Sequence, residues 1–122
     1  MAAPNIINAT SIIGKTVYDT DIAATASAIV TNAASSSKVF KINSLVISNI
    51  DGTNDATITA TLNSGGGTLL STLASTITIP SNSTLVIISK DTAIYLEEDR
   101  EIRLTASAAG DLSGTCSYDE IS

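Results

Sequence analysis

The middle of the chain alternates strictly between apolar residues and threonine. From Ala56 to Leu62 every second residue is apolar, and each residue between is Thr. This two-residue period is that of a β-strand with one face on a core and the other face in water. The same alternation returns in residues 102–106 and 112–118. The pattern predicts an all-β protein whose core is built from strand faces.

Turn-forming residues divide the rest of the chain at short intervals. Asp51-Gly52 favours a hairpin turn, and Gly65–Gly67 forms a flexible loop. The runs between such breaks are rich in Ile, Val, Thr and Leu, as strands require. We predict nine strands, at residues 11–18, 23–31, 38–50, 55–62, 69–79, 83–89, 93–97, 100–107 and 112–119.

This spacing predicts one architecture for the whole chain. Eight or nine short strands in 122 residues indicate a single antiparallel β-sandwich or jelly roll, spanning residues 1–122. Residues 1–10 precede the first strand and are a candidate extended N-terminal arm.

Two stretches depart from a simple strand pattern. Residues 38–50 are long for one strand, and their apolar phase slips after Ile42, which predicts a bulge near Asn43-Ser44. Residues 21–34 are rich in Ala, which favours a helix, but Thr and Ser interrupt the helical spacing. Because that stretch also alternates, we predict a strand there.

The composition of the chain argues against nucleic acids and membranes as partners. The net charge is −6 and only 15% of residues are charged, with Lys and Arg scattered along the chain. Nucleic-acid binding needs clustered basic residues, so we expect no nucleic-acid partner. The sequence has no run of about 20 apolar residues and no basic N-terminal leader, so we expect no membrane segment and no signal peptide. These features predict synthesis in the cytoplasm.

Cys116 is the only cysteine, which excludes an intrachain disulfide. The alternation places it on one face with Leu112, Gly114 and Tyr118. A nucleophilic thiol needs a neighbouring base, and the chain contains no His. We therefore predict that Cys116 is a small buried hydrophobic residue.

Acidic residues are the remaining candidates for chemistry. Asp51 and Asp55 flank a turn that resembles part of a Ca²⁺ loop, but Gly52 comes too early and the later Glu is missing. Glu97–Asp99 is an acidic turn, whereas general acid–base catalysis needs carboxylates in two different environments. We predict solvated turns at both places and no catalytic, cofactor-binding or metal site, so that the protein is not an enzyme.

Three stretches carry a resemblance to a known family. Residues 39–49, 94–108 and 116–122 resemble small virion structural proteins of tailed bacteriophages, including phages of marine bacteria and cyanobacteria. That family shows Leu-Glu-x-Gly-Asp-x-Ile-x-x-x-Ala-Ser-Ala, and this chain has Asp99-Arg100 in place of the Gly-Asp pair. The resemblance covers most of residues 38–122. It implies a β-sandwich virion component without an enzymatic site.

The resemblance implies a hypothesis about function. The protein would decorate or cement the head shell of a virion, bind the major capsid protein or other virion proteins, and associate as a homo-oligomer. One alternative is a tail, neck or baseplate component. A second alternative is a fibre-type carbohydrate- or receptor-binding module, for which the exposed aromatic candidates are Tyr18, Tyr95 and Tyr118.

Overall fold

A computed structural model describes residues 4–122 as two antiparallel sheets packed face to face. Short 3-10 turns form at Ile6–Asn8 and Lys90–Thr92. The strands are β1 (Ile12–Asp19), β2 (Ser27–Asn32), β3 (Val39–Asn49), β4 (Ala56–Ser64), β5 (Leu69–Ile79), β6 (Thr84–Ile88), β7 (Ile94–Leu96), β8 (Arg100–Ala106) and β9 (Leu112–Ile121). The predicted all-β sandwich is confirmed. Within the described range, no helix is long and apolar enough to cross a membrane.

The order of the strands identifies the sandwich as a jelly roll. The first sheet has the order β1-β9-β3-β6, and β7 pairs with β3 beyond the end of β6. The second sheet has the order β2-β8-β4-β5. Because β6 and β7 pair with different halves of β3, they share one edge position. Each sheet then has four positions in the Greek-key order of a jelly roll.

The core lies between the two inner sheet faces. Its buried side chains are mostly Ile, Leu, Val and Ala, and Phe40 stacks on Tyr118 with ring centroids 4.6 Å apart. Small aliphatic side chains suit the spacing of about 10 Å between packed sheets. The fully buried large aliphatic residues are Ile22, Ile42, Leu45, Ile47, Ile58, Ile79, Leu96, Ile102, Leu104 and Leu112.

The long third strand behaves as the apolar phase predicts. The register between β3 and β9 shifts between Ile42 and Ser44, so the predicted bulge at Asn43-Ser44 is confirmed. The bulge lets Ile42 and Leu45 both face the core, although they are three positions apart and simple alternation would place them on opposite faces.

The second strand starts later than predicted. Strand β2 begins at Ser27, so the predicted start at residue 23 is wrong, whereas the other predicted bounds agree within two residues. The N–H of Ile22 donates to the Leu112 carbonyl in the first sheet (2.8 Å). The Ala23 carbonyl accepts from the Ala106 N–H in the second sheet (2.9 Å). The chain crosses between the sheets here, and apolar periodicity does not record such a crossing.

Thr10 and Ser11 lie beside Ser122 at the end of the first sheet. Residues 1–3 of the predicted arm lie outside the described residues. The N–H groups of Thr10 and Ser11 both donate to the Ser122 carbonyl, at 2.8 and 3.0 Å, and this contact leads directly into β1. An extended arm over residues 1–10 stays a prediction.

Buried asparagines close loops at the ends of the sheets. The Asn32 Nδ2 atom donates to the Leu96 carbonyl at 3.0 Å, which links the second sheet to β7. The Asn49 Nδ2 atom donates to the Ile79 carbonyl at 2.9 Å, which links the end of β3 to the end of β5. Asn63 is also buried and closes the loop after β4. Each amide satisfies polar backbone groups that the sheets leave open.

Candidate assembly surface

Cys116 has no access to solvent. Its side chain is fully buried in the core, on the face it shares with Leu112, Gly114 and Tyr118. Burial raises the pKa of the thiol to about 12, so the thiol stays protonated at neutral pH. The predicted burial is confirmed, and the thiol is held in its unreactive form.

The Asp51 turn connects β3 in the first sheet to β4 in the second, so the predicted hairpin turn is wrong, and the Asp51 carboxylate accepts hydrogen bonds within the turn. The Asp51 Oδ1 atom accepts from the Thr53 N–H at 2.8 Å, and Oδ2 accepts from the Asn54 amide at 3.1 Å. These bonds lower the pKa of Asp51. The Asp55 Oδ1 atom accepts from the Ser81 N–H at 3.2 Å. Among residues 4–122, no group of three His, Cys, Asp or Glu side chains is placed to hold a metal ion.

The acidic turn between β7 and β8 is mostly exposed. Glu97 and Asp99 are exposed and Glu98 is half-buried. The next acid, Glu101, is buried and lies 3.2 Å from the Arg103 guanidinium, an ion pair within one strand. The prediction of a solvated turn is confirmed for Glu97 and Asp99.

The tyrosines do not form one site. Tyr118 is buried against Phe40. Tyr18 and Tyr95 are exposed, but they lie on β1 and β7, at opposite edges of the first sheet. Two strands separate these edges, so roughly 14 Å lies between them across the sheet. A single sugar ring does not reach both tyrosines.

The sandwich has two flanks that are open to solvent. We call β1 with β2 the first flank and β5 with β6 the second flank. Each flank consists of one edge strand from each sheet, and the two strands of a flank contact each other. The flanks lie on opposite sides of the molecule because they are the opposite ends of both sheets.

The second flank carries no charge. Residues 56–89 contain no Asp, Glu, Lys or Arg, and they include the whole of β4, β5 and β6. Large apolar side chains are nevertheless exposed on this flank, and they are Leu69, Leu70, Ile77 and Val86, at 58%, 47%, 41% and 55%. Exposed large apolar side chains on a surface without charges favour an interaction surface.

The first flank is nearly neutral as well. Residues 22–37, which include β2, contain no charged residue. Strand β1 carries Lys15 and Asp19, and the Lys15 Nζ atom lies 3.2 Å from the Glu120 carboxylate. The exposed large apolar side chains of this flank are Ile12, Ile13 and Tyr18.

The sequence held part of this signal. The charge-free stretch at residues 56–89 is visible in the sequence. The sequence did not show that this stretch forms a neutral flank, because the order of strands in the sheets decides which strands lie at an edge. Only the observed sheet order places β5 and β6 together on one flank.

One comparison with a solved structure supports the fold. The chain matches no family model and no curated protein. Its fold is similar to that of a Bacillus protein described in the words "Bacillus endospore appendages form a novel family of disulfide-linked pili". The TM-score is 0.53 and the identity 21%, over 92% of this chain and 88% of that chain. This likeness supports the β-sandwich fold.

Two viral structures show a weaker likeness. They are the infectious bursal disease virus Gx strain and the VP2 subviral particle of the same virus, at 9% and 12% identity and a TM-score of 0.48 in both cases. Each match covers 93% of this chain, which spans a third (33%) of the matched chain. At these TM-scores they support no further conclusion. Membership of the tailed-phage family stays a prediction.

Proposed function

We propose that this protein is a non-enzymatic structural subunit of a virion that decorates or cements the head shell. The observation that carries the proposal is a jelly roll with two open flanks that are nearly free of charge and expose large apolar side chains. The resemblance of residues 39–49, 94–108 and 116–122 to virion proteins of tailed phages supports a virion as the particle.

The surface chemistry suits permanent association. The outer strand residues are mainly Ser, Thr and Asn, which hydrogen-bond without the desolvation cost of a charge. Their short side chains lose little conformational entropy when they pack against a neighbour. A subunit that binds assembled shells and not free capsid protein stabilises the shell by mass action.

Binding to shells tests the proposal directly. Recombinant protein is added to purified head shells that lack it, and the mixture is sedimented. We expect the protein to co-sediment with the shells to a saturating ratio and to raise the temperature at which the shells release DNA. Shells of an unrelated phage serve as the control. Protein that stays in the supernatant and leaves the release temperature unchanged contradicts decoration.

A tail, neck or baseplate component is the second candidate. The likeness of the fold to a protein described as forming pili favours it, because tails are also built from repeated subunits. The two candidates differ in where the protein lies on the particle. Binding to isolated tails and not to head shells favours the second candidate.

The structure gives less support to a carbohydrate-binding module. Tyr118 is buried, and Tyr18 and Tyr95 lie far apart. We expect no binding on a glycan array. Binding that is lost in Tyr18→Ala or Tyr95→Ala, with folding intact, reverses this expectation.

A further inference from the structure

We propose that the first flank of one copy docks on the second flank of another copy, so that subunits associate head to tail with antiparallel edge strands. The inference rests on the proposed structural role and deepens it, since it names a second copy of the chain as the occupant of both flanks.

Strand direction is compatible with this arrangement. Every neighbouring pair in the first sheet is antiparallel, and the sheet has four positions. Its two edges, β1 and β6, therefore run in opposite directions. The same holds for β2 and β5 in the second sheet. A copy displaced sideways, without a two-fold rotation, thus brings β1 antiparallel to β6 and β2 antiparallel to β5.

Strand β1 has a regular edge that is open for pairing. It pairs with β9 without a register shift, from Ile12 opposite Ile121 to Asp19 opposite Gly114. Monomeric sandwiches usually protect edges with bulges, proline or charges, and β1 contains no bulge and no proline, whereas the ladders of β2, β5 and β6 each contain at least one register shift. The central charge on β1, Lys15, is neutralised by Glu120 at 3.2 Å.

Backbone hydrogen bonding shows which groups of β1 are available. Ser11 and Ser122 exchange both backbone bonds, at 3.0 and 2.9 Å. Bonding direction alternates along an antiparallel strand. The odd-numbered residues of β1 therefore bond to β9, and the N–H groups of Gly14 and Thr16 point away from β9 towards solvent.

Charge favours a second copy over a charged partner. Each copy carries a net charge of −6, so two copies repel each other unless the contact lies where charges are few. The second flank has no charge, and the charges of the first flank are limited to Lys15 and Asp19 on β1. A basic partner would instead gain most from the acidic turn at residues 97–99. The two flanks lie on opposite sides of the molecule, so the neutral first flank of one copy can contact the neutral second flank of the next copy without charge repulsion.

Proline at each edge tests the inference. Thr16→Pro removes an N–H that points to solvent, so the β1–β9 ladder keeps its bonds. On β6, Asn49 N–H donates to the Ser83 carbonyl at 2.8 Å, and the register Ile47 to Leu85 and Val46 to Val86 continues from there. The N–H of Val86 therefore also points away from its sheet, and Val86→Pro is the equivalent change on the second flank. Thr16→Ala and Val86→Thr are matched controls that keep the N–H.

Light scattering after size-exclusion chromatography measures the outcome. We expect a wild-type mass that rises with concentration beyond a dimer, as in the two controls. Each proline variant alone is monomeric. An equimolar mixture of the two proline variants forms a dimer of twice the monomer mass, because one intact first flank meets one intact second flank.

Several results overturn the inference. They are a wild-type protein that is monomeric at every concentration, a single proline variant that still dimerises, and a mixture of folded proline variants that stays monomeric. If either proline variant fails to fold by circular dichroism, Ile12→Glu and Leu70→Glu replace them in the same mixing test, since both side chains are exposed. If the protein binds shells but does not self-associate through its flanks, only the head-to-tail inference is wrong. If it self-associates but does not bind shells, only the proposed decoration is wrong.

Discussion

Ile58 lies on the inner face of β4 with no exposed surface. Ile58→Asp would bury a carboxylate without a partner, so we expect it to abolish folding. Far-UV circular dichroism and thermal melting measure the effect. Thr57→Asp is the matched control, because the Thr57 side chain faces away from the core, and it should fold. A soluble Ile58→Asp protein that melts cooperatively would show that the strand phase is wrong.

The Cys116 thiol should be inert until the protein unfolds. Burial raises its pKa to about 12, and reaction with aromatic disulfides needs the exposed thiolate. At pH 8 we expect no release of chromophore from the native protein and one equivalent after unfolding in guanidinium chloride. Immediate reaction of the native protein would contradict the burial of Cys116.

Glu120 should make folding sensitive to acid. Burial alone would raise its pKa, but the hydrogen bonds and charges of Lys15 and Lys38 outweigh this and hold the pKa below its ordinary value of 4.5. Because the folded-state pKa is the lower one, Glu120 stabilises the fold above about pH 4.5, and this contribution is lost as the pH falls through the folded-state value. Both lysines are more than a third exposed, so the contribution is about 1 kcal/mol at most.

Glu120→Gln tests this pH dependence by denaturant unfolding. We expect the variant to lose up to about 1 kcal/mol of unfolding free energy at pH 7. Wild type and variant should converge once Glu120 of the wild type is protonated. Glu97→Gln, in the exposed turn, is the control and should change little. A difference that stays constant from neutral pH into acid would argue against the ion pairs.

Whether a residue's role could be predicted from the sequence depends on whether its contacts are local in the chain. The burial of Cys116 was predictable because it follows from alternation with Leu112 and Tyr118. The roles of Asn32 and Asn49 were not, since their partners, Leu96 and Ile79, lie far away in sequence and come close only when the strands are in place.

At the scale of elements, Asn49 joins the ends of β3 and β5. Asn49→Ala removes donors to the Ile79 and Asn54 carbonyls and should lower the unfolding free energy by about 2 kcal/mol, because the buried Ile79 carbonyl loses its partner. Denaturant unfolding measures this loss. Asn43→Ala, at a half-buried position of the same strand, is the control. Equal effects of the two changes would contradict the linking role.

The predicted strands succeeded where a strand has one buried and one solvated face. In β4 and β8 the alternation directly reports that geometry. The strand prediction was wrong at residues 23–26, where the chain passes from one sheet to the other. The backbone of this crossing bonds to strands of both sheets. The alternation also did not predict the three register shifts between β4 and β5, because exposed Ser and Thr side chains are compatible with either register.

At the scale of the whole molecule, the sandwich was predictable and its surface was not. Strand number and spacing indicated a sandwich or jelly roll, and the sheet order decided for the jelly roll. The neutral flanks depend on which strands end each sheet, which is a property of long-range pairing. The expected function came from the resemblance of residues 39–49, 94–108 and 116–122, since the sequence offers few groups for chemistry.

The position of the protein on the parent virion tests the central claim most directly. Antibody raised against the folded chain, coupled to gold, is applied to purified particles and viewed by electron microscopy. Label spread over the head is the predicted result. Label confined to the tail or neck contradicts decoration and favours the second candidate. Particles without label, although the antibody binds the purified protein, contradict a structural role in the virion.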